Sequence, residues 1–119
     1  DYSDQDVMVP TTALYQYLVD QGRSAKHSLR MLIYSGDDDS ICSTAGTQHW
    51  IWDLAPTSRL WKAWLAEDQT SGFATKFDLG FRKNATLDFV TVHGAGHEVP
   101  SYRPKEALEL FRRFLQNEW

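Results

Sequence analysis

The chain has a single cysteine, Cys42, among 119 residues. That excludes an internal disulfide and a cysteine-rich metal site. No apolar run approaches the ~20 residues needed to span a bilayer as a helix, so no membrane partner is expected. Basic residues are no surplus: 12 Lys and Arg stand against 16 Asp and Glu, a net charge of −4. They are also scattered, which argues against a nucleic-acid surface. Repeats and low-complexity linkers are missing. No leader-type stretch opens the chain, and it begins on Asp1 rather than Met. A start set by processing or by cutting is therefore expected.

One further absence shapes the functional reading. No Gly-x-Ser-x-Gly sequence occurs, the pattern of a nucleophile elbow. The three sites that come near it are Tyr34-Ser35-Gly36, Thr70-Ser71-Gly72 and Pro100-Ser101-Tyr102, and none fits. P-loop and dinucleotide signatures fail too, because Gly94-Ala95-Gly96 lacks the Lys-Ser/Thr of one and the third glycine of the other. No cofactor is expected.

What the chain does contain is a pair of apolar runs that each end in a chemically equipped loop. Arg30-Met31-Leu32-Ile33-Tyr34 runs into Ser35-Gly36-Asp37-Asp38-Asp39. Leu87-Asp88-Phe89-Val90-Thr91-Val92 runs into Gly94-Ala95-Gly96-His97-Glu98-Val99-Pro100. Both runs read as buried strands. A helix is predicted over 10–21, with Ala13, Leu14, Tyr17 and Leu18 on one face and Gly22 as its stop. A second is predicted over 44–54, ended by Pro56. A third over 104–116 has an expected inner face of Ala107, Leu108, Leu110, Phe111, Phe114 and Leu115. Residues 59–66 have an ambiguous period, 72–77 alternate as a strand, and 80–86 read as a turn. Strands linked through helices predict an α/β fold with a parallel sheet and a small antiparallel excursion. Two such strands do not make a stable sheet, so more chain is expected.

In open α/β sheets, working residues sit on loops beyond the carboxyl ends of strands. An Asp followed 58 positions later by a His, on neighbouring strand ends, is the second half of a Ser…Asp…His order. The run Asp37-Asp38-Asp39 offers three candidates for the acid, and any of them is equally able to cap a helix or face water. Asp37 is expected to hold the loop by accepting backbone amides. Gly94 and Gly96 permit a tight turn that projects His97. His93 and His97 have H-x-x-x-H spacing, but two glycines make the segment non-helical, so no metal pair is expected there. His27 and His49 read as surface or packing residues. Cys42 reads either as a thiol in a pocket wall or as a small buried hydrophobe. Of the tryptophans, some of Trp50, Trp52, Trp61 and Trp64 are candidates to line a pocket. Asn84-Ala85-Thr86 is a glycosylation acceptor sequence.

At these residues the chain resembles the serine carboxypeptidases, the family of carboxypeptidase Y, cathepsin A and the plant two-chain enzymes. Leu32 to Asp39 looks like the family's strand and Gly-Asp-x-Asp loop. Gly46-Thr47-Gln48-His49-Trp50-Ile51 looks like the helix that follows, Phe89 to Pro100 like the histidine segment, and Pro104 onward like the closing helix. The likeness covers about residues 7 to 116 and is weakest at 55–72. It implies an α/β-hydrolase fold, of which residues 1–119 would be the C-terminal segment of one catalytic domain. It also implies removal of single C-terminal residues from peptides, usually at acidic pH. The catalytic Asp maps to Asp39 and the catalytic His to His97. Cys42 maps to the wall of the substrate pocket, and Glu98 to a place near the leaving amino acid. Secretion, or a vacuolar or lysosomal address, is implied, in keeping with Asn84. The nucleophile would belong to an N-terminal portion or large chain, the expected partner, and a homodimer of the intact enzyme is a further expectation. Plant acyltransferases and hydroxynitrile lyases are relatives with the same Asp–His pair, and a non-catalytic interaction domain is the remaining alternative.

Overall fold

In a computed structural model the structure describes residues 10–24, 29–55, 57–79 and 85–119. Helix α1 (Thr12–Ser24) leads to strand β1 (Leu29–Gly36), and helix α2 (Thr44–Leu54) follows. Strands β2 (Thr57–Ser58), β3 (Lys62–Ala66), β4 (Gln69–Asp78) and β5 (Ala85–Val92) come next. The short helix α3 (Val99–Tyr102) and the helix α4 (Pro104–Gln116) close the chain. The sheet runs in the order β1-β5-β4-β2, with β3 also paired to β4. β1 and β5 are parallel, and every other pairing is antiparallel. The class is α/β, as the alternation of strands and helices predicts.

β5 carries the core because it is central and alternates. Ala85, Leu87 and Phe89 join Val19, Ile51, Ala55 and Phe77 beneath α1 and α2. Val90 and Val92 point to the other face and join Trp64, Ala74, Val99 and Leu110. A strand buried on both faces is the reason the 87–92 run is so apolar. Asp88 is the exception. It is buried, and among the described residues neither carboxylate oxygen makes a well-formed hydrogen bond, although the Trp119 side chain lies near enough to pull its pKa down. Burial pushes its carboxyl above the usual range, against the pull of Lys76 and Arg30.

Helix α2 matches its predicted span, because Ser43 is a good N-cap whose Oγ accepts from the Gly46 N–H at 3.1 Å. Three expectations need correction. α1 does not stop at Gly22 but continues to Ser24, since glycine in a helix costs only about 1 kcal/mol. Its inward contacts are the buried Val19 and the half-buried Tyr15, whose ring lies 4.7 Å from that of Trp50. Leu14, Tyr17 and Leu18 face outward. On α4 only part of the expected inner face is covered: Leu110 is buried, whereas Leu108, Phe111 and Leu115 are exposed. The helix has two apolar stripes, and the sheet occupies one. The third correction is the predicted turn over 80–86, of which Ala85 and Thr86 belong to β5. Its remainder, with the sequon residue Asn84, lies outside the described residues, as do His27 and Pro56.

The ambiguous stretch 59–66 resolves into β3, one arm of a hairpin with β4. The turn is Glu67-Asp68, both at positive φ (50° and 62°). Two left-handed central residues match the twist of a two-residue hairpin. Arg113 ties α4 to this hairpin by donating to the Leu65 carbonyl at 3.1 Å.

Candidate active site

The parallel register sets the site. Gly36 pairs with Val92, so β1 and β5 end side by side. Their loops then leave the same edge of the sheet and are stitched together. The Asp37 N–H donates to the Val92 carbonyl at 3.1 Å, and the Asp38 N–H to the Ala95 carbonyl at 3.1 Å. The approach is close enough that a Cβ on Gly36 would lie 2.1 Å from the Ala95 oxygen. Only glycine fits there. Gly94 turns the second loop at φ 66°, and the Arg103 side chain clamps it by donating from Nε to the Gly94 carbonyl at 3.0 Å.

Two Asp–His pairs span these loops. The outer one joins Asp39 Oδ2 to His97 Nδ1 at 2.9 Å. Asp39 Oδ1 accepts the backbone N–H groups of Ile41 at 2.9 Å and Cys42 at 3.0 Å. The Asp39 side chain is only 6% exposed, while the His97 ring is 61% exposed. The Cys42 amide, then the His97 ring, holds the Asp39 carboxyl below the usual carboxylate range. An ionised Asp39 accepts the Nδ1–H of His97, which leaves Nε2 as the ring's acceptor. Among the described residues Nε2 has no hydrogen bond. This carboxylate–imidazole arrangement can orient a general base and stabilise its charged form.

The inner pair was not anticipated. Asp37 Oδ2 meets His93 Nδ1 at 2.7 Å, and Asp37 Oδ1 accepts the Gly94 N–H at 2.7 Å. The hydrogen bond that the His93 ring donates to Asp37 raises the His93 pKa. Asp37 thus holds the loop through a backbone amide, as expected, and also through the His93 ring. The only signal was position: His93 is the first residue beyond β5, as Asp37 is the first beyond β1. His93 and His97 are each taken by a different carboxylate.

Cys42 is an exposed free thiol rather than a buried hydrophobe. Its Sγ, a carboxylate oxygen of Asp39 and a ring nitrogen of His97 lie within 4.8 Å of one another. Glu98 is exposed beside His97 and starts α3, where its carbonyl accepts the Ser101 N–H at 2.9 Å. The tryptophans mostly serve packing. Trp64 is buried and donates to the Thr91 carbonyl at 3.0 Å. Trp61 meets Phe89 edge-on at 5.6 Å, and Trp50 packs on Tyr15. Trp52 is the exposed one of the four.

Comparison with known proteins gives this geometry a context. A family model described as serine carboxypeptidase matches residues 2–117. Serine carboxypeptidase-like 20 of Arabidopsis thaliana is 41% identical over 88 residues, 73% of this chain and 16% of that protein. Serine carboxypeptidase II-1 of Hordeum vulgare is 40% identical over 90 residues, 75% of this chain and 26% of that protein. Serine carboxypeptidase-like 26 of Arabidopsis thaliana is 42% identical over 91 residues, 75% and 18% respectively. The matched part of this chain corresponds to between 16% and 26% of these three relatives. With a family match over nearly its whole length, and an α/β fold of the expected kind, the chain belongs to the serine carboxypeptidase family.

Proposed function

We propose that the chain supplies the acid and the base of a serine-type carboxypeptidase whose nucleophilic serine lies elsewhere in a longer protein. The observation that carries this reading is the 2.9 Å contact between Asp39 Oδ2 and His97 Nδ1, made from adjacent ends of parallel strands. Nε2 of His97 is left to take the proton of a hydroxyl nucleophile and return it to the leaving amine. Asp39 fixes the tautomer and stays ionised, in line with its lowered pKa. Cys42 and Glu98, on either side of the pair, are assigned to the walls that receive the C-terminal residue of a peptide. The companion segment, an N-terminal portion or large chain, would supply the serine and the oxyanion hole. The small share of the relatives' length that the chain spans supports this, as does the position of β1 at the edge of the sheet formed by the described residues. A secretory-pathway address, vacuolar, lysosomal or extracellular, with a glycan on Asn84 and a homodimeric intact enzyme, completes the proposal.

The test is hydrolysis of a blocked dipeptide by the full-length protein. His97→Ala is expected to lower kcat by on the order of 10⁶-fold and Asp39→Asn by on the order of 10⁴-fold, with both variants still unfolding cooperatively. Undiminished release of the C-terminal residue by either variant would refute the roles.

A further inference from the structure

We propose that Asp39, Cys42 and His97 form a reversible Zn²⁺ site, and that filling it silences the Asp–His pair. The inhibitory consequence rests on the reading of His97 as the base, whereas the binding rests on geometry alone. The three residues offer a thiol, an imidazole and a carboxylate, one donor atom of each lying within 4.8 Å of the other two. Tetrahedral zinc, with bonds of 2.0–2.3 Å, places its ligands about 3.3–3.6 Å apart. The Asp39–His97 contact is 2.9 Å. Closing the set therefore asks for a shift of about 1 Å, mostly by the exposed Cys42 side chain, which turns about one bond.

The support around the donors is already in place. Asp39 Oδ1 is fixed by two backbone amides, one of them that of Cys42 itself. Metal-bound carboxylates are oriented by such outer hydrogen bonds. The Asp39-x-x-Cys42 spacing thus delivers two donors from one turn, and the stitched second loop brings the imidazole. Sulfur and nitrogen donors favour zinc over magnesium or calcium. Three protein ligands leave a fourth position open to water. From the sequence no metal pair is expected at His93 and His97, because the glycines between them make the segment non-helical. The structure gives His93 to Asp37 and puts a thiol beside His97 instead.

Binding exchanges the thiol proton of Cys42 for the metal, and the proton goes to solvent. Whichever nitrogen of His97 the zinc takes, proton transfer stops. A bound Nε2 no longer accepts a proton, and a bound Nδ1 loses its hydrogen bond to Asp39.

The experiment uses the full-length protein, stripped with a chelator and dialysed. Zn²⁺ titrated by calorimetry is expected to bind one equivalent. Co²⁺ as a spectroscopic probe is expected to give a thiolate charge-transfer band. Cys42→Ser abolishes that band, and both it and Asp39→Asn weaken Zn²⁺ binding at least ~10-fold. His93→Gln leaves Zn²⁺ affinity unchanged, which separates this site from general binding to surface histidines. In the activity arm, Zn²⁺ inhibits over the same concentration range, and a chelator reverses it. The Zn²⁺ sensitivity of Cys42→Ser, referred to its own metal-free rate, falls at least ~10-fold. Equal Zn²⁺ affinity in the wild type and Cys42→Ser overturns the site while leaving the hydrolase reading intact. Zn²⁺ bound through Cys42 and His97 with undiminished hydrolysis overturns the inhibitory role, and with it His97 as the base.

Discussion

At the scale of single residues, the pair Asp37–His93 is the less obvious partner of Asp39–His97. Asp37 touches both the ring of His93 and the backbone of Gly94, three residues before His97. Removing it frees the loop that aims the imidazole. A misplacement of about 1 Å near reacting groups costs on the order of 10²-fold in rate. Asp37→Ala is accordingly expected to lower kcat by about 10–100-fold with little change in KM, read from steady-state kinetics of the full-length protein. The pH dependence has a defined sign. His93 is raised above 6.5 in the folded state, so the stability it contributes is fully present below pH 6.5. That stability is lost as pH rises through the folded pKa. Asp39 is lowered below 3.8, so its contribution is present above pH 3.8 and lost as pH falls through its folded value. Thermal unfolding across pH should show the destabilisation of His93→Gln shrinking toward alkaline pH. A constant deficit at all pH values would contradict the Asp37 pairing.

At the scale of elements, two strand ends and two loops must approach as one piece. Gly36 is where that approach is tightest, with the Ala95 carbonyl in the place a Cβ would take. Gly36→Ala forces β1 and the His97 loop apart. A cost of about 2–4 kcal/mol in stability is expected, together with loss of hydrolysis, since the carboxylate and ring no longer meet. Denaturant unfolding and activity of the same preparation check both. α4 is held at both ends of its last turns. Arg30 donates to the carbonyls of Phe114 and Leu115 and lies over the Phe114 ring at 4.5 Å. Glu109 pairs with Arg112 and Arg113, and the Arg112 hydrogen bond leads in holding its carboxyl down to about 2. These contacts fix the helix that covers Val92 and Val99, and through them the floor of the histidine loop.

At the scale of the whole molecule, the apolar surface is distributed unevenly. Leu14, Tyr17 and Leu18 on α1, and Leu108, Phe111 and Leu115 on α4, are all exposed, and β1 pairs on one side only among the described residues. Exposed apolar stripes together with an open strand edge favour association. Expressed alone, the chain is expected to self-associate and bind a hydrophobic dye. Coexpressed with the preceding segment of the full-length protein, it should be recovered as a 1:1 complex with dye binding suppressed. Size-exclusion chromatography with light scattering decides between them, and a dye-silent monomer of the isolated chain would contradict the proposed companion segment.

The sequence by itself determined what depends on near neighbours. β5, α2 and α4 were legible because hydrophobic period, a Ser43 cap and Pro104 act within a few residues. The Asp37-Asp38-Asp39 run and His97 stood out because each follows a strand within a short glycine-bearing loop, and the family resemblance alone singled out Asp39 among the three. The β3–β4 hairpin was not legible, since its turn uses Glu67 and Asp68 at positive φ instead of the glycine that usually marks such a turn. Only tertiary structure decided that Gly36 lies opposite Val92, and from that register follow both Asp–His pairs and the place of Cys42 beside the ring. The same holds for which stripe of α1 and α4 is covered. Local periodicity shows that a face is apolar, but the partner that buries it is brought there by chain many residues away.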